Sequence, residues 1–219
     1  MQDGNNKIMN LTKDDFKLRL LGAADALIGK YDYLSEIDAR FGDGDHGVTI
    51  KKIAGLIKRE CSEWGDASFG NFLEKLSRAI MGISGGAAGP LWGTLFGGFS
   101  MSMGDKQELT SSDIVKMFSD GLSELQDITA AKVGDKTMMD ALIPVVEATG
   151  QMKNNCSIDD VFKEAAKAAE KGCKATEGYA AKFGRAKNYK EQTIGTPDVG
   201  AVSLAEFFTG LAEKYETKN

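Results

Sequence analysis

Residues 13–47 read KDDFKLRLLGAADALIGKYDYLSEIDARFGDGDHG, and their spacing decides the fold class. Phe16, Leu20, Ala24, Leu27, Tyr31 and Leu34 step by fours and threes, which keeps them on one face of a helix. Thr12 with Asp15 three residues on is a variant capping box at the start. The same period returns in Ile50, Ile53, Ile57, Cys61 and Trp64, and again in Leu73, Leu76, Ile80 and Ile83. Val115, Phe118, Leu122 and Leu125 mark a helix opened by the cluster at Ser111–Asp113. Thr137 to Gln151 predicts another, kinked at Pro144, and Ser157 with Asp160 caps an Ala-rich helix running to about Ala181. Leu204, Phe208, Leu211 and Tyr215 give the last. No segment alternates with period two, so the expectation is an all-α bundle of about eight helices with short connections.

The chain has 219 residues, enough for one sizeable core, and is expected to form a single domain over 1–219 with about 1–11 and 216–219 flexible. Its 27 basic and 32 acidic residues give a net charge of −5, without the basic patch that nucleic acid requires. The N-terminus lacks an apolar signal core and no apolar run is long enough for a membrane span, so the expected location is cytoplasmic. Three scattered cysteines, Cys61, Cys156 and Cys173, indicate neither a disulfide framework nor a zinc site. The 26 glycines exceed the usual share of roughly 7%, and they cluster at 42–47 and 82–98 in segments too apolar to be linkers.

One step of four beyond Leu34 lands on Asp38, and Asp43 and Asp45 follow in a chain loosened by Gly42 and Gly44. A carboxylate in an inward register is costly unless paired or bound to a cation. The three aspartates read either as a solvated acidic helix end or as an all-oxygen site for Mg²⁺ or Ca²⁺. Gly42-x-Gly44-x-x-Gly47 matches the dinucleotide fingerprint only literally, because a charged helix precedes it where a hydrophobic strand belongs. An EF-hand fails as well, since Gly47 stands where a third Asp or Asn is needed. His46 is the only histidine, which rules out two-histidine metal sites; it is either structural or a phosphate or substrate contact.

The segment GISGGAAGPLWGT, residues 82–94, is nearly free of charge. It suits a close helix crossing or an approach of phosphate to backbone amides. No G-K-[S/T] follows, so it is not a P-loop. Lys182, Arg185, Lys187 and Lys190 form a local reversal of charge, either a phosphate contact or a helix C-terminus complementing its dipole. Gly134–Thr137 reads as a helix cap through Asp135 or Thr137, and Thr196–Gly200 as a tight turn into the last helix.

Taken in order, GDGDHG, SGGAAGPLWGT, GDKTMMD and GRA…IGTPDVGA resemble the nucleotide-binding L subunit of dihydroxyacetone kinase, from about residue 12 to 215. The chain length suits a free-standing L subunit. The resemblance implies an antiparallel barrel of eight helices holding ADP or ATP at one end. It implies two Mg²⁺ ions on Asp38, Asp43 and Asp45, with a phosphate-binding turn at His46, Gly47, Val48 and Thr49. Ala87, Ala88, Met138, Arg185, Asp198, Val199 and Gly200 match the remaining nucleotide contacts. Three positions depart from the family pattern: Thr49 where Asn occurs, Ala88 where Ser can occur, and Val199 where Pro is common.

In that family a separate K subunit holds the short-chain ketone covalently through a histidine, and L presents the phosphoryl group. The donor is either exchanging ATP or a retained ADP rephosphorylated by a phosphotransferase-system carrier, and the free-standing chain favours the second. Readings kept beside it are an ATP-exchanging kinase subunit for another small ketose, a nucleotide-state sensor docking on a transcription regulator, and an acyl-kinase module, against which the chain length argues.

Overall fold

A computed structural model describes residues 10–84, 86–153 and 156–213. Nine α-helices occupy the described residues: α1 (Lys13–Gly29), α2 (Tyr31–Phe41), α3 (His46–Glu63), α4 (Phe69–Met81), α5 (Ala88–Met101), α6 (Ser111–Ile128), α7 (Met139–Gly150), α8 (Ile158–Ala175) and α9 (Val199–Glu213). Two 3-10 stretches follow α8, at Thr176–Gly178 and Ala186–Thr193. The only sheet-like pairing among the described residues is one antiparallel bridge between Leu11 and Leu109.

Local chemistry sets the starts. Thr12 Oγ1 accepts the Asp15 N–H at 3.2 Å, Ser68 caps through Asn71, and Ser157 through Asp160. Thr110 and Asp113 form a reciprocal capping box on α6. The long first stripe is interrupted at Lys30, whose N–H reaches the carbonyls of Ala26 and Leu27. The break makes two helices where the spacing predicts one, and Leu34 and Ile37 carry burial onward.

Packing closes the chain into a ring. α1 contacts α3, then α4 through α9 follow in order, and α9 returns to α1. The expected barrel of eight helices is therefore present, with α2 lying across one end against α3 and α9. Aromatic side chains fill the interior: Phe118 meets Phe208 at 5.2 Å and Phe162 at 6.1 Å between ring centroids, and Phe96 meets Phe207 at 5.7 Å. Small residues set the closest crossings. A Cβ at Gly98 would lie 2.6 Å from the Asp120 carbonyl, and one at Gly210 would lie 2.6 Å from the Gly22 carbonyl. Among these residues no helix is long and apolar enough to cross a membrane.

Several boundaries differ from the periodicity. α8 stops at Ala175 instead of about Ala181, where Thr176 Oγ1 accepts the Asp198 N–H at 2.9 Å and the chain then extends at Tyr179. α7 begins at Met139 instead of Thr137, whose N–H is held by the Asp140 carboxylate at 2.7 Å in the turn before the helix. Leu11 is buried and bonded both ways to Leu109, so the flexible stretch expected over 1–11 does not include its last residue. Tyr215 lies outside the described residues.

Candidate functional site

Because ring neighbours alternate in direction, the N-termini of α3, α5, α7 and α9 meet at one end with the C-termini of α2 and α6. Together with residues 183–186 they line a cleft of about 590 Å³. Each N-terminus carries N–H groups without helical partners and the positive end of a helix dipole. Four of them make a field suited to an anion.

The acidic residues sit at the rim of this cleft. Asp38 leaves the last turn of α2, Asp43 lies in the loop, and Asp45 precedes α3. An oxygen from each lies within 4.8 Å of the others. The two glycines permit it: a Cβ at Gly42 would collide with the Asp38 carboxylate, and Gly44 adopts φ +76, where glycine is at no disadvantage. Asp38 Oδ2 accepts the His46 N–H at 3.3 Å, and Asp43 pairs with Arg185. The Asp45 carboxylate has no hydrogen bond or ion pair among the described residues. Three convergent carboxylates without His or Cys fit a hard cation such as Mg²⁺.

His46 behaves differently from a charged contact. Its Nε2 lies 3.1 Å from Ser203 Oγ, whose own hydrogen goes to the Gly200 carbonyl at 3.0 Å. That leaves Nε2–H as the donor to Ser203 Oγ. Burial pushes its pKa down to about 4. The ring therefore ties α3 to α9 beneath the cleft.

Asp198 opens α9 by accepting the Ala201 N–H at 2.8 Å. Loss of water raises its pKa to about 7, with the Asp140 charge adding to the rise and the Ala201 N–H and Lys136 opposing it. A carboxyl with a folded pKa above its unfolded value, about 3.9, binds its proton more tightly in the native state. That contribution is complete below about pH 4 and lost as pH rises through about 7. Thermal unfolding of the nucleotide-free protein should therefore show a midpoint falling between pH 5 and 7, with Asp198→Asn flattening the slope.

Most of the sequence-predicted residues reach the cleft: Asp38, Asp43, Asp45, His46 and Thr49 on one side, Ala87 and Ala88 on α5, and Met138, Arg185, Asp198, Val199 and Gly200 opposite. Gly47 and Val48 do not line it. Gly47 faces Tyr31 and Ser35 where α3 crosses α2, and the Val48 side chain is exposed. The charge-free segment divides its roles. Gly86 to Ala88 border the cleft, while Gly93 and Gly98 carry the close crossings with α4 and α6. The basic run does not end α8: Lys182 pairs with Asp135 and Arg185 with Asp43, just before the 3-10 stretch that carries Lys187 and Lys190. Of the two expected caps of α7, Thr137 Oγ1 accepts the Met139 N–H at 3.2 Å, whereas Asp135 turns to Lys132 and Lys182. The spacing misses the apolar wall of Phe41, Leu91, Ile128 and Phe183, since these come from four separate elements. It misses Lys136 as well.

The architecture is that of an all-helical barrel whose mouth gathers three carboxylates and four helix N-termini. The profile of the DAK2 domain family matches residues 40–213, and the chain belongs to that family. It is 30% identical to the ADP-binding subunit DhaL of the PEP-dependent dihydroxyacetone kinase of Escherichia coli K12, over 93% of this chain and 98% of the relative. It is 34% identical to the ADP-binding subunit DhaL of the PTS-dependent dihydroxyacetone kinase of Lactococcus lactis, over 83% of this chain and 86% of that one. Against the L-erythrulose kinase of Pectobacterium atrosepticum, 32% identity spans 85% of this chain but 32% of the relative. The crystal structure of the dihydroxyacetone kinase of C. freundii superposes with a TM-score of 0.70, at 22% identity, over 97% of this chain and 37% of that one. A second structure of that kinase contains AMP-PNP and Mg²⁺.

Proposed function

We propose that this chain is the nucleotide-binding subunit of a kinase acting on dihydroxyacetone or a close hydroxyketone. The observation that carries the reading is the convergence of Asp38, Asp43 and Asp45 at a mouth ringed by four helix N-termini. Carboxylates and phosphates repel each other unless a divalent cation lies between them, and Mg²⁺ supplies that neutralisation when bound. Mg²⁺ is ordinarily held by one or two carboxylates, so three favour two ions.

Asp38, Asp43 and Asp45 hold the metal. His46 and Thr49 of the first turn of α3 border the phosphates, and the start of α5, Ala87 and Ala88, offers backbone N–H groups to their oxygens. Met138 and the turn Asp198, Val199, Gly200 bound the opposite wall. Arg185 exchanges its ion pair with Asp43 for the phosphates. The cleft offers no nucleophile–base pair, since the His46 ring is neutral and engaged with Ser203. An acceptor held on a separate K subunit, in the cytoplasm, is consistent with that. Relatives named as PEP- and PTS-dependent support a retained ADP that a phosphotransferase-system carrier recharges.

The test is a calorimetric titration of ADP into nucleotide-stripped protein, with and without Mg²⁺, followed by exchange of the bound nucleotide. Mg²⁺-dependent binding with slow exchange is expected. Binding indifferent to Mg²⁺ would remove the metal assignment, and fast exchange would replace the retained ADP with substrate ATP.

A further inference from the structure

Asp135 and Lys136 are adjacent residues of the loop between α6 and α7, only 4% and 5% exposed. Lys136 adopts φ +61, a conformation unfavourable for a non-glycine residue that persists only where the surroundings enforce it. The enforcement is visible. Asp140 accepts the Gly134 and Thr137 N–H groups, each at 2.7 Å, and so fixes the turn on both sides of the pair.

From this fixed turn the two side chains reach the two ends of one loop. Asp135 Oδ1 binds Lys182 Nζ at 2.6 Å, and the Asp135 carbonyl accepts the Lys182 N–H at 3.1 Å. Lys136 Nζ donates to the Thr176 carbonyl at 2.6 Å and to the Thr196 carbonyl. Thr176 Oγ1 in turn accepts the Asp198 N–H at 2.9 Å. Between these anchors the loop carries Arg185 near its beginning and leads into Asp198 at its end, both on the cleft.

We infer that Asp135 and Lys136 form a clamp that fixes both ends of the 182–198 loop and thereby sets how firmly the cleft retains its nucleotide. Both are positioning residues that act through Lys182, Thr176 and Thr196. The retention part rests on the nucleotide reading proposed above; the loop-holding part does not.

The loop-holding part is measured first, by amide hydrogen exchange on the nucleotide-free chain. Asp135→Asn, which weakens one hydrogen bond between charged groups, and Lys136→Met, which removes two from an ammonium, should each speed exchange across 182–198 by about tenfold or more, with barrel amides unchanged. Unchanged loop exchange overturns the clamp. The second measurement is release of a fluorescent ADP analogue, in Mg²⁺, chased by excess ADP. Both variants should release it about tenfold faster, and Lys136→Arg, which keeps the donor, should stay near the parent rate. Asp135→Asn decides between positioning and direct attraction. It frees the Lys182 charge, so slower release would mean that Lys182 acts on the phosphates directly and would overturn the inference. Should Lys136→Met fail to fold, Asp135→Asn alone decides for or against the clamp. A parent chain that binds no analogue would sink the nucleotide reading, while the exchange data would still judge the clamp.

Discussion

Asp45→Asn is expected to weaken Mg²⁺-dependent ADP binding by about a hundredfold or more, since even outer-shell partners of metal ligands cost roughly ten- to a hundredfold when changed. Asp45 is the sharpest choice of the three carboxylates. Asp38 also receives the His46 N–H, and Asp43 also pairs with Arg185, so changing either one disturbs the nucleotide-free protein. Asp45 lacks such partners among the described residues, and its removal relieves repulsion within a cluster spanning 4.8 Å. The melting midpoint without nucleotide should therefore hold or rise while the Mg²⁺-dependent gain on adding ADP disappears. Calorimetry with parallel melting curves checks both. A falling midpoint with preserved binding would show that Asp45 serves the fold and not the cation.

Gly172→Ala should produce the largest loss of stability among single-methyl changes. Gly172 lies where α8 crosses α7, and an added Cβ would collide with the Asp140 backbone carbonyl and come within 3.1 Å of Ala141 Cα. Backbone cannot rotate away as a side chain can, so the helices must separate at an overpacking cost of about 3 kcal/mol. Better helix propensity returns about 1 kcal/mol. The net loss of about 2 kcal/mol lowers the midpoint by roughly 4–8 °C in a chain of this size. Gly55→Ala is the matched control: Gly55 is exposed on α3 with nothing within 4 Å of its hypothetical Cβ, so its midpoint should rise. Equal behaviour of the two variants would show that the α7–α8 crossing is not close-packed in solution.

The helices are legible in the sequence because their signals are local. Stripes at 3.6-residue period and caps such as Thr12–Asp15 and Ser157–Asp160 need only neighbours in sequence. Asp38, Asp43 and Asp45 are legible for the same reason, lying within eight positions with glycines between them. What escapes depends on residues far apart in the chain. The break at Lys30 and the early end of α8 at Ala175 leave the apolar spacing intact, and the latter follows from a threonine claimed by Asp198, 22 positions on. Lys136 reads as part of a cap because nothing in its neighbourhood announces a buried ammonium serving two distant carbonyls. The basic run suits a dipole complement only if α8 extends toward it, and α8 does not.

The antiparallel contact of α1 with α9, which closes the ring, has a geometric corollary. Arg19, near the beginning of α1, donates to the Leu211 carbonyl near the end of α9, at 2.8 Å. The first and last helices thus enter and leave the barrel side by side, on the floor opposite the mouth. A tether attached at either point would start from the floor and not from the rim of the cleft. The L-erythrulose kinase relative, of which this chain matches 32%, is a longer polypeptide. Attachment through the floor would let such a polypeptide carry a barrel of this kind without burying its mouth.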